Sequence, residues 1–276
     1  MSAAAPIIDA HAHLGFSPRF YVPGGDAADI LRLMQTLGVD MAICAHQAEL
    51  QGHRDQAHSE LMEAFELSGR RLLAYTVFNP WQQDSARWVE QRLAQGLPYV
   101  GIKIHPSLHQ CSADDESYGP AWELAAAHKV PLLSHTWDRV AHNPSQALSF
   151  PALFTGWLER FPQVAFIMGH AGGRPNGHLA AVELARRFGS VHLDLAGDCY
   201  TWGLTEFLAA EAGAERVLFG SDFNWIDPRT HLGRIIAADI STDARQLILG
   251  DNAVRLFRLQ VPTEDKEGSH GIRAED

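Results

Sequence analysis

An α/β fold, a single-domain barrel of eight parallel strands each followed by a helix, is predicted by three features of this 276-residue sequence. Short apolar, β-rich runs alternate with helical patterns about eight times, each run leads into a polar or glycine-containing loop, and no linker or internal repeat divides the chain. Strands separated by helices pair in parallel, and eight such units close a barrel of about 250 residues.

The strands are expected over residues 7–10, 41–45, 72–78, 99–104, 130–134, 164–168, 191–195 and 216–220. Amphipathic patterns over 27–37, 85–95, 121–128, 146–160 and 179–188 supply helices between them, several ending at Gly or running into Pro. Beyond the eighth strand, 231–238 and 242–259 read as closing helices, the second broken near Gly250. The barrel domain is drawn as 1–261. Residues 262–276, PTEDKEGSHGIRAED, have no apolar period and are expected to form a polar, flexible tail.

Composition narrows the function. Hydrophobic residues make up 46% of the chain and charged residues 20%, enough for a sizeable core. The net charge is −11 and no run of Lys and Arg could track a phosphate backbone, which argues against a nucleic-acid partner. No run reaches the length of a membrane span and the start lacks a basic leader region, so a soluble cytoplasmic protein without a membrane partner is expected. Cys44, Cys111 and Cys199 are far apart and form no CxxC, so they are read as bystander thiols. These features do not fix the oligomeric state, and a homo-oligomer is compatible with them. Histidine, with 15 copies, is the unusual residue.

Position gives the histidines meaning. Side chains alternate along a strand, so Asp9, His11 and His13 are expected on one face at the end of the first strand. His135 ends strand five in VPLLSHTW, His170 ends strand six in VAFIMGHAGG, and Asp222 ends strand eight in RVLFGSDFNW. Barrel enzymes keep their sites at the C-terminal strand ends, so these groups converge where a metal could be bound. Lys103 and His105 share a face of strand four, and a charged Lys inside a barrel must face a polar site or pair with an acid such as Asp9. Mouth loops carry Trp137, Arg139, Arg174, Tyr200, Trp202, Phe223 and Trp225. Aromatic walls with Arg suit a flat, anionic small molecule.

The pieces DAHAH (9–13), GIKIHP (101–106), SHTW (134–137), GHAGG (169–173), GSDFNW (220–225) and LGDNAVRLF (249–257) resemble the amidohydrolase superfamily, in its amidohydrolase-related (type 2) branch, over residues 7 to about 259. The resemblance implies a distorted (β/α)8 barrel with one divalent cation, usually Zn²⁺ with Mn²⁺ as an alternative, held by His11, His13, His135 and Asp222. His170 is then the acid, base or electrostatic stabiliser, and Asp222 shares in proton transfer. The competing binuclear arrangement would make His170 a ligand and Lys103 a carbamate. Lys103, His105, Trp137, Arg174 and Trp225 are the candidate substrate-binding residues, and Asp9 the partner expected to orient a metal-bound His. The expected reaction is metal-assisted hydrolysis of a lactone, amide or ester by an activated water. The alternative is non-oxidative decarboxylation of an aromatic or unsaturated acid.

Overall fold

A computed structural model describes residues 5–17, 22, 24–198 and 200–262. The expected tail beyond Pro262 and Cys199 lie outside the described residues. Eight parallel strands follow one another in chain order: β1 Ile8–Leu14, β2 Met41–His46, β3 Leu72–Val77, β4 Tyr99–Ile104, β5 Leu132–His135, β6 Phe166–Gly169, β7 Val191–Asp194 and β8 Val217–Leu218. β8 is short because the sheet closes irregularly. Ala10 N donates to Phe219 O, and His11 O accepts from both Ser221 N and Asp222 N, at 2.9, 3.2 and 2.8 Å. That irregular closure brings His11 beside Asp222.

Two layers of apolar side chains hold the barrel. Outside the sheet, Trp122 stacks on Trp157 (5.9 Å between centroids, 8°) and meets Phe166 beneath the helices Gly119–His128 and Thr155–Arg160. Inside it, Ile8, Ile43, Leu73, Tyr75, Leu133, Ile167 and Leu218 fill the lower barrel, and Phe257 of the helix Asn252–Phe257 packs against Tyr75 from below. Tyr75 can occupy the axis because residue 101 is glycine. A Cβ there would stand 2.8 Å from the tyrosine ring and 3.0 Å from Pro131 O.

Two expectations need correction and one is met. The helix drawn over 146–160 is three short pieces, Pro144–Ser149, Pro151–Phe154 and Thr155–Arg160. Pro151 lacks an N–H and forces the preceding Phe150 out of helical conformation, to φ −63° and ψ 132°. The second closing helix runs as Thr242–Gln246, a wider π turn over Leu247–Asp251, and Asn252–Phe257, so the break expected near Gly250 is there. Finally, Asp9 does not share a face with His11 and His13. The β1 to β2 register slips between Asp9 and Ala12, and this bulge turns Asp9 outward to line a small cavity with Ala12, Ile30 and Met34 under the helix Ala27–Leu37. The helix Arg54–Leu67, required by the βα alternation but given no range from the sequence, fills the β2 to β3 connection.

Candidate active site

The C-terminal strand ends surround a cavity of about 240 Å³. His11 and His13 come from β1, Lys103 from β4, His135 from β5, and His170 and Asp222 follow β6 and β8, all of them buried. Each side chain is fixed by its strand and by a partner behind it.

His13 Nδ1 lies 3.1 Å from Ala45 O, and a carbonyl oxygen only accepts, so Nδ1 carries the hydrogen. His13 Nε2 faces Asp222 Oδ1 at 3.0 Å. Two lone pairs cannot meet at that distance without a positive charge, supplied by a second proton on His13 or by a bound cation. His11 Nδ1 likewise meets the Asp194 carboxylate at 2.9 Å, which leaves Nε2 without a hydrogen, 3.8 Å from Asp222 Oδ1 and an acceptor for Lys103 Nζ at 2.9 Å. His11, His13 and Asp222 thus offer two imidazole nitrogens and one carboxylate oxygen within 4.8 Å of one another. Each imidazole donates its other N–H to a carboxylate or a backbone carbonyl, the arrangement that prepares a histidine for a metal. The donor set fits a divalent cation. His11, His170 and Asp194 form a second close group.

His135 stands apart from both groups. Its Nε2 lies 2.8 Å from Gln146 Oε1 and its Nδ1 lies 3.0 Å from His170 Nε2. Burial holds both His135 and His105 well below the usual histidine range, so both rings are neutral. Burial would push Asp222 upward, but the His13 contact and the fields of His170 and His11 outweigh it and hold the carboxyl well below its ordinary value. Burial brings Lys103 down to about 8, against the pull of Asp222 and Asp194. Lys103 therefore pairs with His11 and not with Asp9, whose contacts are Ser221 and His11 N.

All five substrate-binding candidates line the cavity. His105 stacks on His135 (4.1 Å, 10°), His135 on Trp137 (5.6 Å, 4°), and the Arg174 guanidinium lies 4.8 Å above Trp137. Trp225 stacks on His13 at 5.2 Å. Arg174 also holds Asp198, 2.9 Å away. The remaining mouth candidates lie elsewhere: Arg139 sits over Phe150, Phe223 lines the outer cavity beside Asp9, and the exposed Tyr200 and Trp202 border a neighbouring cavity.

Two residues escaped the sequence reading. Asp194 ends β7 as Asp222 follows β8, and the same strand-end logic could have found it. Gln146 gave no signal, because the segment was read as the start of a regular helix.

The amidohydrolase family model matches residues 8–259, and the chain belongs to that family. No curated protein matches in sequence. Among solved structures, 2,6-dihydroxybenzoate decarboxylase complexed with 2,6-dihydroxybenzoate is 19% identical, with a TM-score of 0.73, over 92% of this chain and 99% of the other. The 5-carboxyvanillate decarboxylase of Sphingomonas paucimobilis is 17% identical, with a TM-score of 0.70, over 93% and 100%. That of Novosphingobium aromaticivorans, complexed with manganese and 4-hydroxy-3-methoxy-5-nitrobenzoic acid, is 15% identical, with a TM-score of 0.71, over 93% and 97%. At these identities the likeness establishes the shared barrel. No helix among the described residues is long and apolar enough to cross a membrane.

Proposed function

We propose that this chain is a metal-dependent decarboxylase of a small aromatic carboxylic acid. The observation that carries the reading is the cavity itself: walls of parallel planar groups, a guanidinium at one end of the stack, and a three-donor cation site at its floor. Its volume of about 240 Å³ lies below the usual span of ligand pockets, about 300–1,000 Å³, which suits a single substituted ring. Similarity to decarboxylases whose structures hold dihydroxybenzoate or a nitrobenzoic acid supports the same choice over hydrolysis.

In this reading His11, His13 and Asp222 would hold a divalent ion, with His135 as its fourth ligand. When bound there, such an ion would supply positive charge for an anionic oxygen of the substrate. Mn²⁺ accompanies similar decarboxylases and suits the mixed nitrogen and oxygen donors as well as the Zn²⁺ expected from sequence. Trp137 and Trp225 clamp the ring faces, and Arg174 and Lys103 provide cationic contacts for carboxylate and hydroxyl oxygens. Loss of CO2 leaves the bonding pair on the ring carbon, which takes up one proton in exchange. His170 and Asp222 relay that proton from solvent.

The test is an assay of protein reconstituted separately with Mn²⁺ and Zn²⁺ against hydroxylated benzoic acids, lactones, esters and amides, with CO2 release and product mass followed together. Decarboxylated product from a benzoic acid is the expected result. Turnover of a lactone, ester or amide without CO2 release would overturn the reading and return the chain to the hydrolases.

A further inference from the structure

Asp194 ends β7 fully buried, and its two oxygens act on different parts of the site. Oδ2 accepts from His11 Nδ1 at 2.9 Å. Oδ1 accepts from the backbone N–H groups of His170 at 2.7 Å and Ala196 at 3.0 Å. The second contact falls at a strained place. His170 and Ala171 take φ values of 65° and 43°, two consecutive left-handed residues that are not glycine. Each is strained and persists only where the surroundings enforce it. Gly197 closes over the same ring, since a Cβ there would come within 2.4 Å of His170 Nδ1.

We propose that Asp194 is the positioning residue of this site: it fixes the His11 tautomer with no hydrogen on Nε2, the nitrogen that faces Lys103 and would bind a cation, and it anchors the left-handed turn that sets His170 against His135. The proposal rests on the metal-centre reading above. It assigns to Asp194 the orienting role that the sequence suggested for Asp9, whose carboxylate accepts from the His11 backbone N–H and from Ser221. Asp194 accepts two backbone N–H groups at Oδ1 and turns Oδ2 to His11 Nδ1, which meets it as an N–H.

An amide at this position behaves differently from a cavity. In Asp194→Asn the carboxamide oxygen still accepts from the two backbone N–H groups, and the NH2 turns to His11. His11 Nδ1 must then accept, which moves the ring hydrogen to Nε2, where it blocks a cation. Asp194→Ala removes the bond but leaves the tautomer free. A scaffolding residue would make the isosteric Asn milder than Ala in every respect. A tautomer-fixing residue separates two orders: melting temperature falls from parent to Asn to Ala, whereas affinity for Mn²⁺ falls from parent to Ala to Asn.

The experiment measures Mn²⁺ affinity by chelator competition, melting temperature, and the ¹⁵N chemical shifts of His11 in metal-free protein. Asp194→Asn is expected to lose affinity by on the order of 10- to 100-fold, and its His11 Nε2 is expected to carry the hydrogen. If Asp194→Ala does not fold, the ¹⁵N shifts of Asp194→Asn decide alone. Mn²⁺ affinity within a few-fold of the parent, or a His11 tautomer unchanged in Asp194→Asn, would overturn the proposal. These readouts do not use a substrate, so failure of the decarboxylase assignment leaves them intact. A parent that binds no metal would defeat the metal centre and leave the ¹⁵N shifts to judge Asp194.

Discussion

His170 Nε2 stands 3.0 Å from His135 Nδ1, with the rings edge to face, and the hydrogen between them belongs to His170. The assignment follows from Gln146, whose Oε1 takes the Nε2 hydrogen of a neutral His135 and leaves Nδ1 bare. His170 thus holds a proton at the cavity wall without being one of the three convergent donors. Replacement by Asn is expected to keep the metal and to lower kcat by about 10²- to 10⁴-fold, the usual contribution of a positioned acid or base. Metal content, kcat and melting temperature on this variant separate the alternatives. Lost metal would make His170 a ligand, and an unchanged kcat would remove it from the chemistry.

Arg174 joins the two halves of the mouth, its guanidinium lying over Trp137 while pairing with Asp198. Under the proposed function a substrate carboxylate would compete with Asp198 for the same fork. Arg174→Gln is expected to raise KM for an aromatic acid by at least about tenfold, the worth of a charge-assisted hydrogen bond of about 1.5–3 kcal/mol, with metal content unchanged. An unaltered KM would show that the substrate does not reach Arg174.

The barrel was legible because buried parallel strands are short apolar runs, and their period survives in the sequence whatever the packing. The site was legible at strand ends for the same reason: His11, His13, Lys103, His135, His170 and Asp222 all face one cavity. Two local events hid the rest. The β1 bulge breaks the two-residue alternation, so Asp9, placed by period with His11 and His13, turns outward. Pro151 breaks a stretch whose apolar spacing reads as one helix, and Gln146 lies on the short turn that results. Bulges and proline breaks are decided by tertiary fit, which periodicity alone does not encode.

At the opposite end of the barrel, His192 is the second residue of β7, its Nδ1 buried and without a hydrogen-bond partner among the described residues. Burial, and then the charges of Arg216 and Arg255, push this histidine down to about 4. The unfolded chain takes up the same proton near 6.5. Between those values the unfolded state holds more protons than the folded one, so stability falls as pH drops, by up to about 1.4 kcal/mol per unit. His192→Gln removes this loss. Its stability relative to the parent, from urea unfolding at a series of pH values, is expected to improve from pH 6.5 down to 4 and to stay level above 7. A difference independent of pH would show that His192 titrates normally in the fold.

The metal centre is the reading on which the most depends, and the 3.0 Å approach of His13 Nε2 to Asp222 Oδ1 makes it testable residue by residue. With Nδ1 committed to Ala45 O, that approach requires positive charge between the two groups. Asp222→Asn removes the negative partner and His13→Ala the neutral one, so both are expected to lose most of their bound divalent metal. Cys44→Ser and Cys111→Ser, buried thiols outside the donor set, are expected to retain it. His135→Ala separates a three-residue site from a four-residue one. As the fourth ligand its loss weakens affinity by orders of magnitude, and Gln146→Ala, which frees His135 Nε2, leaves affinity at or above that of the parent. Elemental analysis of each variant, followed by chelator competition with Mn²⁺ and Zn²⁺, supplies the comparison. Full metal occupancy in His135→Ala would restrict the site to His11, His13 and Asp222, and full occupancy in Asp222→Asn would show that the positive charge between His13 and Asp222 is a proton.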